Sequence, residues 1–175
     1  MDIYKIDLNR EPQERFKEVV INYEVKAKEA MAFYTNYVPR PIWWVLEGVL
    51  DLIWIPSLPD YYQEVEGMAK YMNINVNLLL IIQFIYDLSS FCTSIIVAQS
   101  ETGNVLHLRN LDFANPAIMR NITYEGWFYR GDQLLFRATM FAGMNGVMTG
   151  ERPNAFSISL NSRNPSYRKN YFTLA

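Results

Sequence analysis

The chain has 175 residues, half of them apolar and 15% aromatic, which is enough for one domain with a sizeable core. Its 16 basic and 18 acidic residues leave a net charge of −2, so no global field exists to attract nucleic acid. A single cysteine, Cys92, excludes an internal disulfide framework, and with a single histidine, His107, it also excludes a Cys/His zinc site, so no metal is expected. The first ten residues hold no apolar signal core, and no run reaches the roughly 18 uninterrupted apolar residues of a membrane span, so the chain as numbered reads as soluble or peripheral and without a leader.

Ile3 to Leu8 alternate apolar and polar residues, which predicts a short strand. From Pro12 onward, Phe16, Val19, Val20, Tyr23, Ala27, Ala30, Met31 and Tyr34 recur at three- and four-residue steps, which predicts a long amphipathic helix. Val38-Pro-Arg-Pro41 ends it, because proline disfavours helix in the residue before it. Pro41 then suits the first turn of a helix from Ile42 to Ile55, in which only Glu47 and Asp51 interrupt an apolar sequence. Such a helix is either buried on all sides or lies partly in a lipid interface, and the second alternative makes Trp43, Trp44 and Trp54 candidate membrane contacts.

Pro56 to Pro59 ends that segment, and Asp60 is placed to cap a helix from Tyr61 to Met72. Asn75 to Asn77 leads into a nearly all-apolar helix from Leu78 to Tyr86, which ends near Ser89–Ser90 and delivers the chain to Cys92. From Thr93 the period changes: Thr93 to Ala98 predicts a strand, Ser100 to Asn104 a turn, and Val105 to Arg109 a returning strand. Asn121 to Tyr129 and Leu134 to Phe141 flank a second turn at Arg130 to Gln133, and Ala155 to Leu160 alternates as a further strand. Gly143, Gly146 and Gly150 punctuate the connection between them, and Asn161 to Ala175 shows no clear period. Helices followed by an antiparallel meander predict an α+β fold, with a sheet face that no later helical layer covers.

A thiol reacts as thiolate and needs a base or a positive charge nearby. A hairpin from Thr93 to Arg109 brings Cys92 to the same end as Arg109 and Asp112, which sets a thiol, a guanidinium and a carboxylate within reach. The plainer alternatives are a small buried cysteine beside Phe91 and an ordinary Arg–Asp ion pair. His107 is either a base for Cys92 or, between Leu106 and Leu108, a hydrogen-bonded structural histidine. The triplet Asn121-Ile-Thr123 is a glycosylation sequon that arises easily by chance.

Cys92-Thr-Ser-Ile, Val97-Ala-Gln99, Gly103, His107 and Arg109-Asn-Leu-Asp-Phe113 resemble the nucleophile region of the acid ceramidase and N-acylethanolamine-hydrolysing acid amidase family of N-terminal-nucleophile hydrolases. The resemblance continues at Phe141 to Gly150, at Phe156 to Arg163, and upstream at Glu64 to Ala69 and Met72 to Ile74. It implies an incomplete αββα sandwich, with residues 1–91 as the helical α-part and residues 92–175 as the first part of the β-part, together one structural domain. It implies self-cleavage between Phe91 and Cys92, after which the freed α-amine of Cys92 acts as base for its own thiol, held by Asp112, while Arg109 sits against the thiol and the substrate carbonyl. It further implies a fatty-acyl amide substrate such as an N-acylethanolamine or ceramide, no cofactor, a peripheral membrane contact through the Trp-rich helix, and a lysosomal setting; the absent leader leaves an intracellular complex as the other possibility.

The sequence also departs from the family pattern. The family reads Cys-Thr-Ser-Ile-Val-Ala after the nucleophile, whereas Cys92-Thr-Ser-Ile-Ile-Val-Ala98 is one residue longer. In a strand the extra residue reverses the faces of its side chains unless a bulge absorbs it. Asn161-Ser-Arg163 stands where the family has Asn-Glu-Arg or Asp-Glu-Arg, and Leu108 replaces the usual glycine before Arg109. The family also continues past residue 175, so the open sheet is expected to need a missing segment or another chain to cover it, and these residues alone are expected to be inactive. The alternative function is a catalytically degenerate family member serving as a structural subunit of a larger assembly.

Overall fold

A computed structural model describes residues 1–36, 58–83 and 90–161, with Ser90 and Phe91 described in their backbone only. Strand β1 (Asp2–Asp7) and a short 3-10 turn at Pro12–Glu14 precede helix α1 (Lys17–Thr35). Helices α2 (Pro59–Tyr71) and α3 (Val76–Ile82) follow, then strands β2 (Ser90–Ala98) and β3 (Val105–Phe113). After them come the short helix α4 (Pro116–Asn121) and strands β4 (Thr123–Arg130), β5 (Gln133–Phe141), β6 (Thr149–Arg152) and β7 (Phe156–Ser159). The expected Trp-rich helix with Trp43, Trp44 and Trp54, and Ser162 with Arg163, lie outside the described residues.

The strands form a five-stranded sheet in the order β1-β4-β5-β6-β7 and a separate two-stranded ribbon, β2-β3. The fold is α+β, but the larger sheet is mixed rather than a pure meander, because β1 runs parallel to β4 across six paired residues. A parallel pair needs a long crossover, and α1 to α4 lie within it. The helical part of the sequence therefore contributes a strand to the sheet of the other part.

The face of α1 foreseen from its spacing is the buried one: Val19, Val20, Tyr23, Ala27, Ala30, Met31 and Tyr34. It packs on the sheet around Tyr124, which is only 1% exposed. Tyr4 and Tyr23 meet the Tyr124 ring at centroid distances of 5.5 and 6.2 Å, and the Tyr23 hydroxyl donates to the Asp2 carboxylate at 2.9 Å. Burial, then the neighbouring Asp2 charge, pushes the Tyr23 phenol up to about 12, so it stays a donor throughout the neutral range.

The start of α2 differs from the sequence-based expectation. Asp60 does not cap α2: Leu58 occupies the cap position, Pro59 starts the helix, and Asp60 sits in its first turn, where a carboxylate complements the helix dipole. At the other end Asn73 adopts φ +50°, with Ile74 N donating to the Ala69 carbonyl at 3.0 Å and Asn73 N to Lys70 at 3.1 Å, a Schellman closure. Since glycine enters this conformation without strain, Asn73→Gly is expected to stabilise the protein by about 0.5–1 kcal/mol, read as a higher denaturant midpoint at constant slope. Asn75 caps α3 through its side-chain oxygen, which accepts from Asn77 N at 2.8 Å and Leu78 N at 3.2 Å.

The α2 helix also holds the N-terminal segment. Arg15 Nη1 donates to Glu64 Oε1 at 2.7 Å, and Asn145 Nδ2 donates to Glu64 Oε2 at 2.7 Å. Gln83 accepts from Asn145 N at 2.6 Å and donates to the Gly143 carbonyl at 3.0 Å. One carboxylate and one amide thus tie the N-terminal turn, α2, the end of α3 and the loop after β5 into one network.

The candidate site around Cys92

Cys92 is the third residue of β2 rather than the junction residue before a strand, because β2 begins at Ser90. The ribbon pairs without a bulge from Ser90 opposite Phe113 to Ala98 opposite Val105. The extra residue expected between Cys92 and Ala98 is therefore carried inside a regular ladder.

That register settles the faces. Cys92 stands opposite Leu111, Ser94 opposite Arg109, and Ile96 opposite His107. Side chains alternate along a strand, so these six residues share one face. In β3, His107, Arg109, Leu111 and Phe113 are the more buried positions, while Leu106, Leu108, Asn110 and Asp112 are exposed. Cys92 is half-buried and packs with Leu111 against the core. Arg109 lies diagonally from it on the same face, at the roughly 7–8 Å spacing of diagonal neighbours.

The three groups foreseen at one end of the hairpin are not all on one side of it. Asp112 stands opposite Phe91, so its side chain takes the outer face, where both carboxylate oxygens accept from Asn110 Nδ2 at 3.0 and 2.9 Å. Arg109 and Asp112 are three residues apart, and an odd spacing in a regular strand always divides two side chains between its faces.

His107 is four rungs from Cys92, roughly 13 Å along the ribbon. Its Nδ1 lies 2.8 Å from Ser157 Oγ. The hydrogen-bonded structural alternative therefore describes it, and it does not reach the thiol.

The inner face of the ribbon rests on β7 and the two residues after it. Ser94 Oγ lies 2.9 Å from Ser159 Oγ and donates to Asn161 Oδ1 at 3.3 Å. Arg109 Nη1 donates to Asn161 Oδ1 at 3.2 Å, and Nη2 donates to the Leu160 carbonyl. Neither Asn161 nor Leu160 stood out in the sequence as a partner of Arg109, since about 50 residues separate them.

At the turn end, a cleft of about 990 Å³ opens between Gly103 to His107 and the outer sheet face at Glu125, Arg137 and Glu151. The Arg137 guanidinium stacks 4.3 Å from the Trp127 ring, and Nη1 lies 3.5 Å from Glu151 Oε1. The ribbon's other face carries Ile95, Val97, Leu106 and Leu108, all exposed, with Ile95 at 52% and Leu108 at 55%. Ile96 and Val105, at the turn end of the inner face, are exposed as well, at 70% and 65%. Among the described residues no group of His, Cys, Asp and Glu is placed to hold a metal ion, and no helix is long and apolar enough to cross a membrane.

Comparison with known proteins finds no matching family model. An N-acylethanolamine-hydrolyzing acid amidase of Oryctolagus cuniculus is 33% identical over 167 residues, covering 92% of this chain and 45% of the relative. One of Caenorhabditis elegans is 29% identical over 173 residues, covering 91% and 47%. An acid ceramidase of Heterocephalus glaber is 30% identical over 182 residues, covering 91% and 45%. The chain spans about half the length of the curated relatives it matches.

Proposed function

Because this chain belongs, over the part that it spans, to the acid ceramidase and N-acylethanolamine-hydrolysing acid amidase family, we propose that it forms part of an N-terminal-nucleophile hydrolase of fatty-acyl amides with Cys92 as its nucleophile. The observation that carries this reading is the register that sets Cys92 and Arg109 on one face of the ribbon. A guanidinium there can balance charge developing on a substrate carbonyl oxygen.

The chemistry begins on the chain itself. Cys92 Sγ adds to the Phe91 carbonyl carbon, the Phe91–Cys92 C–N bond breaks as the nitrogen takes a proton, and water hydrolyses the thioester. This leaves a carboxylate on Phe91 and a free α-amine on Cys92. Such an amine has an ordinary pKa of roughly 7.7–8, suited to accepting the thiol proton. Asp112 stands opposite Phe91, so the cut puts the new amine one residue from the Asp112 rung, and in this reading the carboxylate holds it. In turnover the thiolate attacks the amide carbon, the amine leaves with the proton, and water releases the fatty acid from the acyl thioester.

The sequence that the longer relatives have beyond the matched half is the proposed cover for Ile95, Val97, Leu106 and Leu108, whether it lies in one longer chain or a second one. Contact of Trp43, Trp44 and Trp54 with a membrane rests on the sequence alone. The test is intact mass after incubation at acidic pH. With the covering sequence present, fragments split between Phe91 and Cys92 are expected from the wild type and an uncut protein from Cys92→Ala; a wild-type protein that stays whole with its cover present sinks the reading.

A further inference from the structure

We propose that Asn161 positions the Arg109 guanidinium beside the Cys92 thiol; the inference rests on the nucleophile reading above and adds a residue to that site. An arginine side chain on a two-stranded ribbon has many rotamers, and its planar fork is held only where acceptors meet it. Among the described residues, Asn161 Oδ1 accepts from Nη1 at 3.2 Å and the Leu160 carbonyl accepts from Nη2.

The amide itself is oriented by a second donor. Ser94, the residue opposite Arg109 and on the thiol's face, donates its hydroxyl to the same Oδ1 at 3.3 Å while meeting Ser159 Oγ at 2.9 Å. Two donors converging on one atom require the oxygen, not the nitrogen, to face the ribbon. Asn161 follows β7 and so belongs to the other layer. The Arg109 guanidinium, on the face that Cys92 shares, is thereby held by the docking of ribbon on sheet, not by the ribbon alone.

Cys92 is the chain's sole thiol, so alkylation reads it alone. The ratio of its alkylation rates with iodoacetate, an anion, and iodoacetamide, which is neutral, measures the positive charge at the sulfur. Asn161→Ala is expected to lower that ratio about threefold, toward the lower level of Arg109→Ala, and to change nothing further in an Arg109→Ala background. A purely structural role would alter both reagents alike. Asn161 is exposed, so the variant is expected to fold, which circular dichroism checks. An unchanged ratio, or an equal fall in the Arg109→Ala background, overturns the proposal. Because this readout requires neither cleavage nor turnover, a protein that stays uncut with its cover present defeats the nucleophile reading separately from the Asn161–Arg109 coupling.

Discussion

Gly67→Ala is expected to destabilise the fold by about 2–3 kcal/mol, although the same change in an exposed helix would stabilise it. Gly67 lies in α2 where that helix crosses the Pro12–Glu14 turn. A Cβ at this position would stand 2.1 Å from the Gln13 carbonyl oxygen and 2.6 Å from its carbonyl carbon and Cα. These are backbone atoms, so relief requires moving the turn or the helix. The turn is pinned on both sides: Gln13 Nε2 donates to Glu66 at 2.7 Å, Arg15 bonds Glu64, and Tyr71 donates to Glu14. Shifting it strains the Glu64 network that also holds Asn145. Denaturant unfolding should show a lower midpoint at unchanged slope. Gly146, where a Cβ would meet nothing within 4 Å, is the control, and its replacement by alanine should stay within about 0.5 kcal/mol of wild type. A Gly67→Ala protein as stable as wild type would mean that turn and helix do not meet this closely.

Excising Ile96 is expected to move Cys92 to the face opposite Arg109. The turn closing the ribbon is held by its own hydrogen bonds, Gln99 N to Asn104 O at 2.8 Å and Gly103 N to Gln99 O at 2.9 Å, with Gly103 at φ +69°. Strand β3 is anchored on its inner face by His107–Ser157 and Arg109–Asn161. With both retained, one residue fewer in β2 brings Cys92 opposite Asn110, so that it shares its face with Asp112. The thiol then exchanges a neighbouring cation for a carboxylate. Its iodoacetate-to-iodoacetamide ratio should fall by about tenfold or more, below that of Arg109→Ala, which removes the cation without adding an anion. A wild-type ratio in the excised chain would show that a bulge forms and that residue count does not set the register at Cys92.

The faces of Cys92, Arg109 and Asp112 illustrate how far a sequence can be read. The odd spacing of Arg109 and Asp112 already forbids one face of a regular strand from holding both. Which of them joins Cys92 depends on the pairing register, and that required the closing turn and the unbroken ladder. The short helix α4 is absent from the sequence-based expectation, although Asn115 caps it and Pro116 opens it. Strand β6 was hidden because Gly150 resembles loop punctuation. The glycine is there because a Cβ would approach Val147 Cγ1 at 2.8 Å and the Arg137 carbonyl oxygen at 3.0 Å.

By itself the sequence determined what is local and periodic: the buried stripe of α1, the turns at Gly103 and Gly131, the α+β order of elements, and a cysteine motif specific enough to point to a family. Only the tertiary structure decided that β1 joins β4, that His107 binds Ser157 rather than serving the thiol, and that Asn161 meets Arg109. Each of these joins residues some 50 to more than 100 positions apart. Side-chain period reports which face a residue takes within its own element, whereas the partner that face meets is chosen by the packing of the whole chain.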